Sequence, residues 1–325
     1  MENHASKWHN VESVPETHIF PVEDRAGNEP IPLCHTIPII DLANSHALHQ
    51  IMQASKQYGF FQVRNHGVGE DVIGNAVEVL EELFGRESEE ISKEAKANGW
   101  VYMGSSSLAI KGAHLWRDNI KHPCHPLEDS MQHWPHNPTR YRQVVARYIE
   151  GIRGLSLRIL KLICQGLGLE KGYLGEMSQV QFLTASNYPA CPDPALTLGL
   201  LPHFDHSLIT ILSQGNAQGL QVMVNGKWMG VEVVPNAFVV NIGTQIQIVS
   251  NGKLRSVEHR VVANPKQGRT TIATFINPRP DCIIEPAKLF VNEATPPLYP
   301  SLSFKEFVNV SKPFGPFTDA LTLQN

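Results

Sequence analysis

Hydrophobic and polar positions along the chain change texture near residue 178. Before it, apolar residues recur mostly at helical spacing; after it, they come in short alternating or β-branched runs. Residues 1–36 are polar and proline-rich, without sustained periodicity, and read as an arm over the surface. Ile37 to Leu42 and Gly59 to Val63 read as short strands, the second closed by a turn at Asn65-His-Gly67. Leu48, Ile51 and Met52 predict a helix over 47–56. Val72, Ile73, Ala76, Val77, Leu80, Leu83 and Phe84 predict another over 71–84. Asn137-Pro-Thr139 starts the longest helix, whose apolar positions Tyr141, Val144, Tyr148, Ile152, Leu155, Ile159 and Ile163 run to Gly166 and Gly168. Such a helix backs a sheet.

Residues 85–117 look irregular: Gly99, Gly104, the triple serine 105–107 and Gly112 interrupt any helix or strand. A loop of that length inside a globular chain is a lid, a binding loop or a disordered segment. Strands are predicted at 179–187, 197–203, 208–213, 219–224, 227–233, 237–242, 256–263 and 269–277. Many short strands separated by turn residues imply a sandwich or jelly roll. With helices before and strands after, the fold class is α+β on one core. The tail carries a short strand at 282–284 and a short helix near 303–307.

Composition narrows the function classes. The chain has 325 residues, 42% hydrophobic and 18% charged, with net charge −4. Nothing there points to nucleic acid or an anionic membrane. No apolar run reaches the ~18–20 residues of a membrane span. The N-terminus lacks a basic and then apolar stretch, so no secretory signal is expected. Five widely spaced cysteines without a C-x-x-C fit reduced thiols in the cytoplasm.

The chemistry gathers around His203 and Asp205. In an extended chain, residues two apart share a face, which offers one metal an imidazole and a carboxylate. His259, in another β-branched run, is the best third ligand. Two histidines and one carboxylate form the facial triad of non-haem iron oxygenases. Zinc hydrolases use the same ligand types, so the set by itself leaves the metal open. The strand Arg269 to Asn277 alternates strictly. Arg269 and Thr271 on one face can grip a carboxylate through a guanidinium fork and a hydroxyl. Tyr188 offers a second hydroxyl. The bland alternative for Arg269 is a surface cation beside Lys266 and Gln267.

At these residues the chain resembles the plant 2-oxoglutarate- and Fe(II)-dependent dioxygenases of specialised metabolism, from the strand at Ile37 to about Pro280. Gly59 to His66 resembles the family's G-F-F-Q-V-x-N-H element, and Asn187 to Pro192 its N-Y-Y-P-P-C-P element. His203, Asp205 and His259 fall on its iron ligands. Arg269 and Thr271 fall on its R-x-S clamp for the distal carboxylate of 2-oxoglutarate, and Tyr188 on a further contact to it. Trp116-Arg-Asp118, Cys124-His-Pro126 and Cys164 to Gly168 look most like the hyoscyamine hydroxylase branch. Three positions depart from the pattern: Ser186 for Asn, Thr271 for Ser and Thr244 for Asp.

The resemblance implies a double-stranded β-helix core with N-terminal helices and one long backing helix. It divides the chain into an N-terminal region at 1–130, a catalytic region at 131–280 and a C-terminal extension at 281–325 that acts as a lid. It implies Fe(II), 2-oxoglutarate and O₂, with ascorbate as reductant. The reaction oxidises an unactivated C–H bond, by hydroxylation first and by desaturation, epoxidation or O-demethylation as variants, and releases succinate and CO₂. Phe275 and Asn277 continue the Arg269 face towards substrate, with Thr184 on the adjoining strand. Phe204 and His206, beside the ligands, either line the pocket or pack. An oxidase that spares 2-oxoglutarate and a non-catalytic sensor are the alternatives. The protein is expected to be a monomer acting on a small molecule. Ala95 to Arg117 contains no Asp or Glu, so the substrate is expected to be a neutral or weakly polar ring compound and not a cationic amine. An acidic partner from Asp281, Glu285 or Glu293 is the counter-case.

Overall fold

The computed structural model describes residues 11–27, 31–34, 37–107 and 109–311. The first ten residues of the arm and the tail from 312 lie outside them. In the arm, Val14 and Phe20 are buried against Trp116, Leu198 and neighbouring apolar residues. Strand β1 (Ile39–Asp41) pairs in parallel with β2 (Phe60–Arg64). Between them runs α1 (Ala47–Gln57), which buries Ile51 and Met52. Gly69 precedes α2 (Glu70–Phe84), whose first turn holds Glu70 and Asp71, the charge sign that a helix N-terminus favours. Its Ala76, Val79, Leu80, Leu83 and Phe84 face the core.

The stretch 85–117 is more ordered than its glycines and serines suggest. Helix α3 (Ser88–Asn98) buries Ile91 and Ala95 and stops at Gly99, whose φ of 80° a side chain disfavours. Strand β3 (Val101–Met103) follows, and then the hairpin of β4 (Ala109–Ile110) and β5 (Ala113–His114), turned at Lys111 and Gly112 with positive φ. Gly99 and Gly112 therefore end elements and do not erase them. Strand β6 (Asp118–Pro123) joins β3 to the main sheet, and a short α4 (Leu127–Met131) leads to α5.

Helix α5 (Tyr141–Leu167) is the longest, 27 residues. It buries Tyr141, Val145, Tyr148, Ile152, Leu155, Ile159 and Ile163 against α1, α2 and the sheet. No described helix is long and apolar enough to cross a membrane. After the short α6 (Tyr173–Met177) come β7 (Val180–Tyr188), β8 (Leu200–His203), β9 (Ile209–Ser213), β10 (Leu220–Val224), β11 (Lys227–Gly230) and β12 (Phe238–Ile242). The buried turn of helix α7 (Thr244–Val249) separates these from β13 (His259–Val261) and β14 (Arg269–Asn277). The tail adds β15 (Ile283–Ile284), paired with β16 (Leu302–Ser303), and α8 (Phe304–Val310), which a Ser303–Glu306 capping box starts.

Eight strands form one sheet in the order β1-β2-β12-β9-β14-β7-β6-β3, and four form a second, β11-β10-β13-β8. Alternation assigns the faces of the larger sheet. Phe61, Val63, Val240, Ile211, Ile272, Ile276, Leu183 and Ala185 enter the core shared with the helices. The intervening residues face the small sheet, whose Leu220 and Val222 pack with Phe60 and Val239. Two sheets enclosing a cavity and helices behind the larger one make the α+β jelly roll. Strands β1, β2, β3 and β6, all from the first 130 residues, belong to the eight-stranded sheet.

Two glycines give opposite expectations. Gly154 lies on the exposed face of α5, with open space where a methyl group would sit, so Gly154→Ala should stabilise by about 0.5–1 kcal/mol through chain entropy. A Cβ on Gly243 would lie 1.9 Å from the Ser207 carbonyl oxygen, so Gly243→Ala should destabilise by roughly 1–3 kcal/mol or more. Urea denaturation midpoints read both; an unchanged Gly243→Ala would contradict this packing.

His122 is fully buried, its Nδ1 donating to the Pro123 carbonyl at 3.1 Å and its Nε2 accepting from the Tyr141 hydroxyl at 2.9 Å. Burial lowers its pKa from 6.5 to about 4. The unfolded chain therefore binds more protons between those values, and stability falls as pH drops through that window. His18, also held at about 4, acts in the same direction. His122→Gln should remove part of this acid slope in urea titrations across the window; an unaltered slope would count against it.

Candidate active site

Strands β8 and β13 place the two histidines. They pair antiparallel with His203 directly opposite His259, and the ring centroids lie 4.2 Å apart. Asp205 follows two residues after His203. One ligand atom from each of His203, Asp205 and His259 lies within 4.8 Å of the others, the one such three-ligand group among the described residues. His203 Nδ1 donates to the Leu201 carbonyl at 2.8 Å, and His259 Nδ1 to the Val257 carbonyl at 3.1 Å. Both Nε2 lone pairs are thereby left pointing at Asp205 Oδ1, at 3.5 and 3.7 Å. Phe60 meets the His259 ring edge to face at 5.3 Å.

The second oxygen of Asp205 is already committed. Thr210 Oγ1 donates to Oδ2 at 2.6 Å and Asn241 Nδ2 at 2.8 Å. The Asp205 carbonyl accepts the Thr244 N–H at 2.8 Å, so the departure at Thr244 sits against the ligand turn, at the start of α7. Burial pushes the Asp205 carboxyl up, but His259, His203 and the Thr210 hydrogen bond outweigh it and hold the group well below the carboxylate range. Burial brings the His259 imidazole down to about 4. An ionised carboxylate and a neutral His259 imidazole suit a divalent cation.

Arg269 enters the same cavity from β14. It is 5% exposed, and Nη1 donates to the Gln214 and Ala217 carbonyls at 3.1 and 3.3 Å. Its guanidinium stacks 5.1 Å above the Tyr188 ring, its cross-strand partner. Gly219 makes the space, because a Cβ there would fall 2.6 Å from Nη2. No carboxylate of the described residues pairs with Arg269, and burial alone pushes its pKa down. Such a desolvated cation is completed by an anionic ligand. Lys266 and Gln267 beside it are exposed, whereas Arg269 is buried, so the surface-cation alternative fails for Arg269.

These groups share one cavity between the two sheets. Of the residues expected from sequence, His203, Asp205, His259, Arg269, Thr271, Tyr188, Thr184 and Phe275 line it. Three do not. Asn277 pairs with Val180 at the far end of β14, one alternation past Phe275 and beyond the cavity. Phe204 is absent from the lining, and the His206 ring turns instead to Phe307 of α8, 5.3 Å away. Both flank Asp205, so alternation directs them off its face. Sequence reading passes over Thr210, Asn241, Phe60, Leu212 and Arg117, all of which line the cavity. Alternation from Phe275 across its paired neighbour Thr210, and on to Asn241 and Phe60, is the signal that finds most of them.

The 2OG-Fe(II) oxygenase superfamily model matches residues 176–278, and the model described as non-haem dioxygenase in morphine synthesis N-terminal matches 37–141. Hyoscyamine 6-dioxygenase of Hyoscyamus niger is 39% identical over 330 residues, covering 95% of this chain and 94% of that protein. The 2'-deoxymugineic-acid 2'-dioxygenase of Hordeum vulgare is 36% identical, covering 95% and 93%. The crystal structure of JOX2, in complex with 2OG, Fe, and JA, is 33% identical and superposes with a TM-score of 0.83 over 95% of this chain and 93% of that one. With a metal-ready triad in a jelly roll of that shape, the chain belongs to the Fe(II)- and 2-oxoglutarate-dependent dioxygenases, in their plant branch.

Proposed function

We propose that His203, Asp205 and His259 hold one Fe(II) and that Arg269, Thr271 and Tyr188 hold the distal carboxylate of 2-oxoglutarate. The enzyme then hydroxylates an unactivated C–H bond of a small specialised metabolite. The carrying observation is the buried Arg269, without a carboxylate partner among the described residues, in one cavity with three converging ligand atoms. When bound, iron with 2-oxoglutarate and O₂ supplies the oxidising power, and ascorbate serves as its reductant. The chain orients and encloses. Backbone carbonyls fix both imidazoles, Thr210 and Asn241 leave one Asp205 oxygen for the metal, and Thr184, Ala273 and Phe275 shape the wall nearest substrate. From the C-terminal extension, Phe307 of α8 packs against His206 of the ligand turn. All five cysteines are free thiols, which suits a reducing cytoplasm.

A cationic amine is a poor substrate for this cavity. Its one carboxylate is Asp205, which the metal takes. Asp281, Glu285 and Glu293 are exposed and line neither it nor the chamber beside it, and Asp281 pairs with Arg279 at 3.0 Å.

Asp205→Ala should abolish iron binding and succinate formation. Thr210→Val and Asn241→Leu should keep the fold but weaken Fe(II) binding about 10- to 100-fold, because they free the wrong carboxylate oxygen. Anaerobic metal titration reads both, and full activity of Asp205→Ala would end the assignment.

Arg269→Ala should raise the apparent 2-oxoglutarate constant by about two to three orders of magnitude, as leaving a buried carboxylate unpaired costs roughly 3–5 kcal/mol. Thr271→Ala loses one hydrogen bond to a charged group, about 1.5–3 kcal/mol, and should show the smaller effect. Succinate release against 2-oxoglutarate concentration is the measurement. An unchanged dependence in Arg269→Ala would place the clamp elsewhere.

A further inference from the structure

The fixed charges of the cavity leave one cation unanswered. With iron and 2-oxoglutarate in place, the metal and Arg269 supply three positive charges. Asp205 and the 2-oxoglutarate dianion supply three negative ones, and the neutral imidazoles add nothing. Arg117 also lines this cavity and is outside that balance. It is half-buried, and its guanidinium makes one long hydrogen bond, Nη1 to the Tyr188 hydroxyl at 3.5 Å. At that length the bond is weak, and it leaves most of the guanidinium's five donors uncommitted. Among the described residues no carboxylate pairs with it.

The position is built, not incidental. Trp116, next to it, is fully buried; its N–H donates to the Leu198 carbonyl at 2.9 Å and its indole to the Pro189 carbonyl at 3.1 Å. Asp118, on the other side, points to the opposite face of β6 and accepts the Ser105 N–H at 2.8 Å. Arg117 also lines a second chamber, whose walls include Met103, Ile110, Leu115 and Asn119. It therefore stands between the iron-side cavity and an adjoining space of mixed apolar and polar lining. Further along the same face of β6, Lys121 is exposed with its ammonium 4.8 Å above the Phe182 ring. Glu258, the acidic neighbour of His259, lines neither chamber.

We propose that Arg117 anchors a carboxylate on the substrate, so that the substrate is a ring compound bearing one carboxylate, its ring directed into the iron-side cavity. The inference rests on the oxygenase reading above and replaces the neutral ring compound expected from sequence. The guanidinium fork matches a carboxylate in two parallel hydrogen bonds, which sets the ring's orientation as well as its affinity. Lys121, opposite the cavity residue Thr184 across the β6–β7 pair, adds a second positive charge to this face.

The test uses ring acids of the arylacetic and cinnamic types, each matched with its carboxamide and with the corresponding amine. Binding to the full chain loaded with Fe(II) and 2-oxoglutarate is measured anaerobically by calorimetry. The acids should bind more tightly than their amides, and the amines should not bind. Arg117→Gln should weaken the acids about 10- to 100-fold, the range for losing a charge-assisted hydrogen bond, and leave the amides where they were. Arg117→Lys should recover part of the loss. A plant metabolite extract split by anion exchange should yield its oxygenated product from the acidic fraction. Amides binding as well as acids, or a product arising only from the neutral or basic fraction, would overturn the proposal without any variant. An Arg117→Gln that weakens 2-oxoglutarate as much as the acids would assign Arg117 to the cosubstrate and overturn it too. Failure of the wild type to bind Fe(II) and 2-oxoglutarate sinks the oxygenase reading itself, an outcome distinct from all of these.

Discussion

Everything in the site depends on how Asp205 divides its two oxygens. A carboxylate in a buried cavity is costly unless each lone pair has a use. Here Thr210 and Asn241 take Oδ2, and that leaves Oδ1 at the focus of two imidazoles. Thr210 and Asn241 come from adjacent strands, β9 and β12, that directly pair at those residues. The ligand turn is thus tied sideways to the large sheet, while its histidine neighbours are tied through β8 and β13 to the small one. The carboxylate is where the two sheets are pinned together. Preorganisation of the metal ligands and closure of the barrel are the same set of bonds.

The Arg269 side of the cavity follows a different logic. Arg269 is held by backbone carbonyls and an aromatic face, none of which cancels its charge. The protein packs tightly around a cation that it does not neutralise itself. The missing side chain at Gly219 belongs to this arrangement, because the guanidinium occupies the volume a side chain would claim. Ser186, directly opposite Thr271 across the β7–β14 pair, keeps a small hydroxyl beside the clamp and so leaves width at this end of the cavity.

Most of the strands are legible in the sequence because period-two alternation is enforced wherever one face of a sheet meets a core and the other a polar cavity. The eight predicted runs between 179 and 277 all contain strands, and the long helix ends within two residues of Gly166 to Gly168. The triad is legible because two of its members share one strand exit. What stays hidden depends on topology. Helix α3 is masked by glycines that prove to be its terminator and its neighbours' turns. Asn277 obeys the alternation but lies past the end of the cavity, a boundary that no local pattern marks. Arg117 is a cavity residue only because β6 pairs with β7, and its own stretch, between a hairpin and a two-proline turn, carries no periodic signal. The small helix α7 leaves no trace in the pattern because six residues are too few for a helical period.

The N-terminal arm has a consequence for the order of assembly. Phe20 bonds its N–H to the Leu196 carbonyl, and Val14 packs beside Trp116, Cys191 and Ala263. The first described residues therefore dock on surfaces made some 90 to 250 positions later. On a ribosome the arm cannot finish docking until Ala263 has emerged, after most of the jelly roll. Its docking is a closing step, and the wall it backs carries Trp116 and hence Arg117. The outer wall of the site is thus finished by the first part of the chain returning to Ala263, just past the metal-binding strands, so the two ends of the catalytic core close on each other.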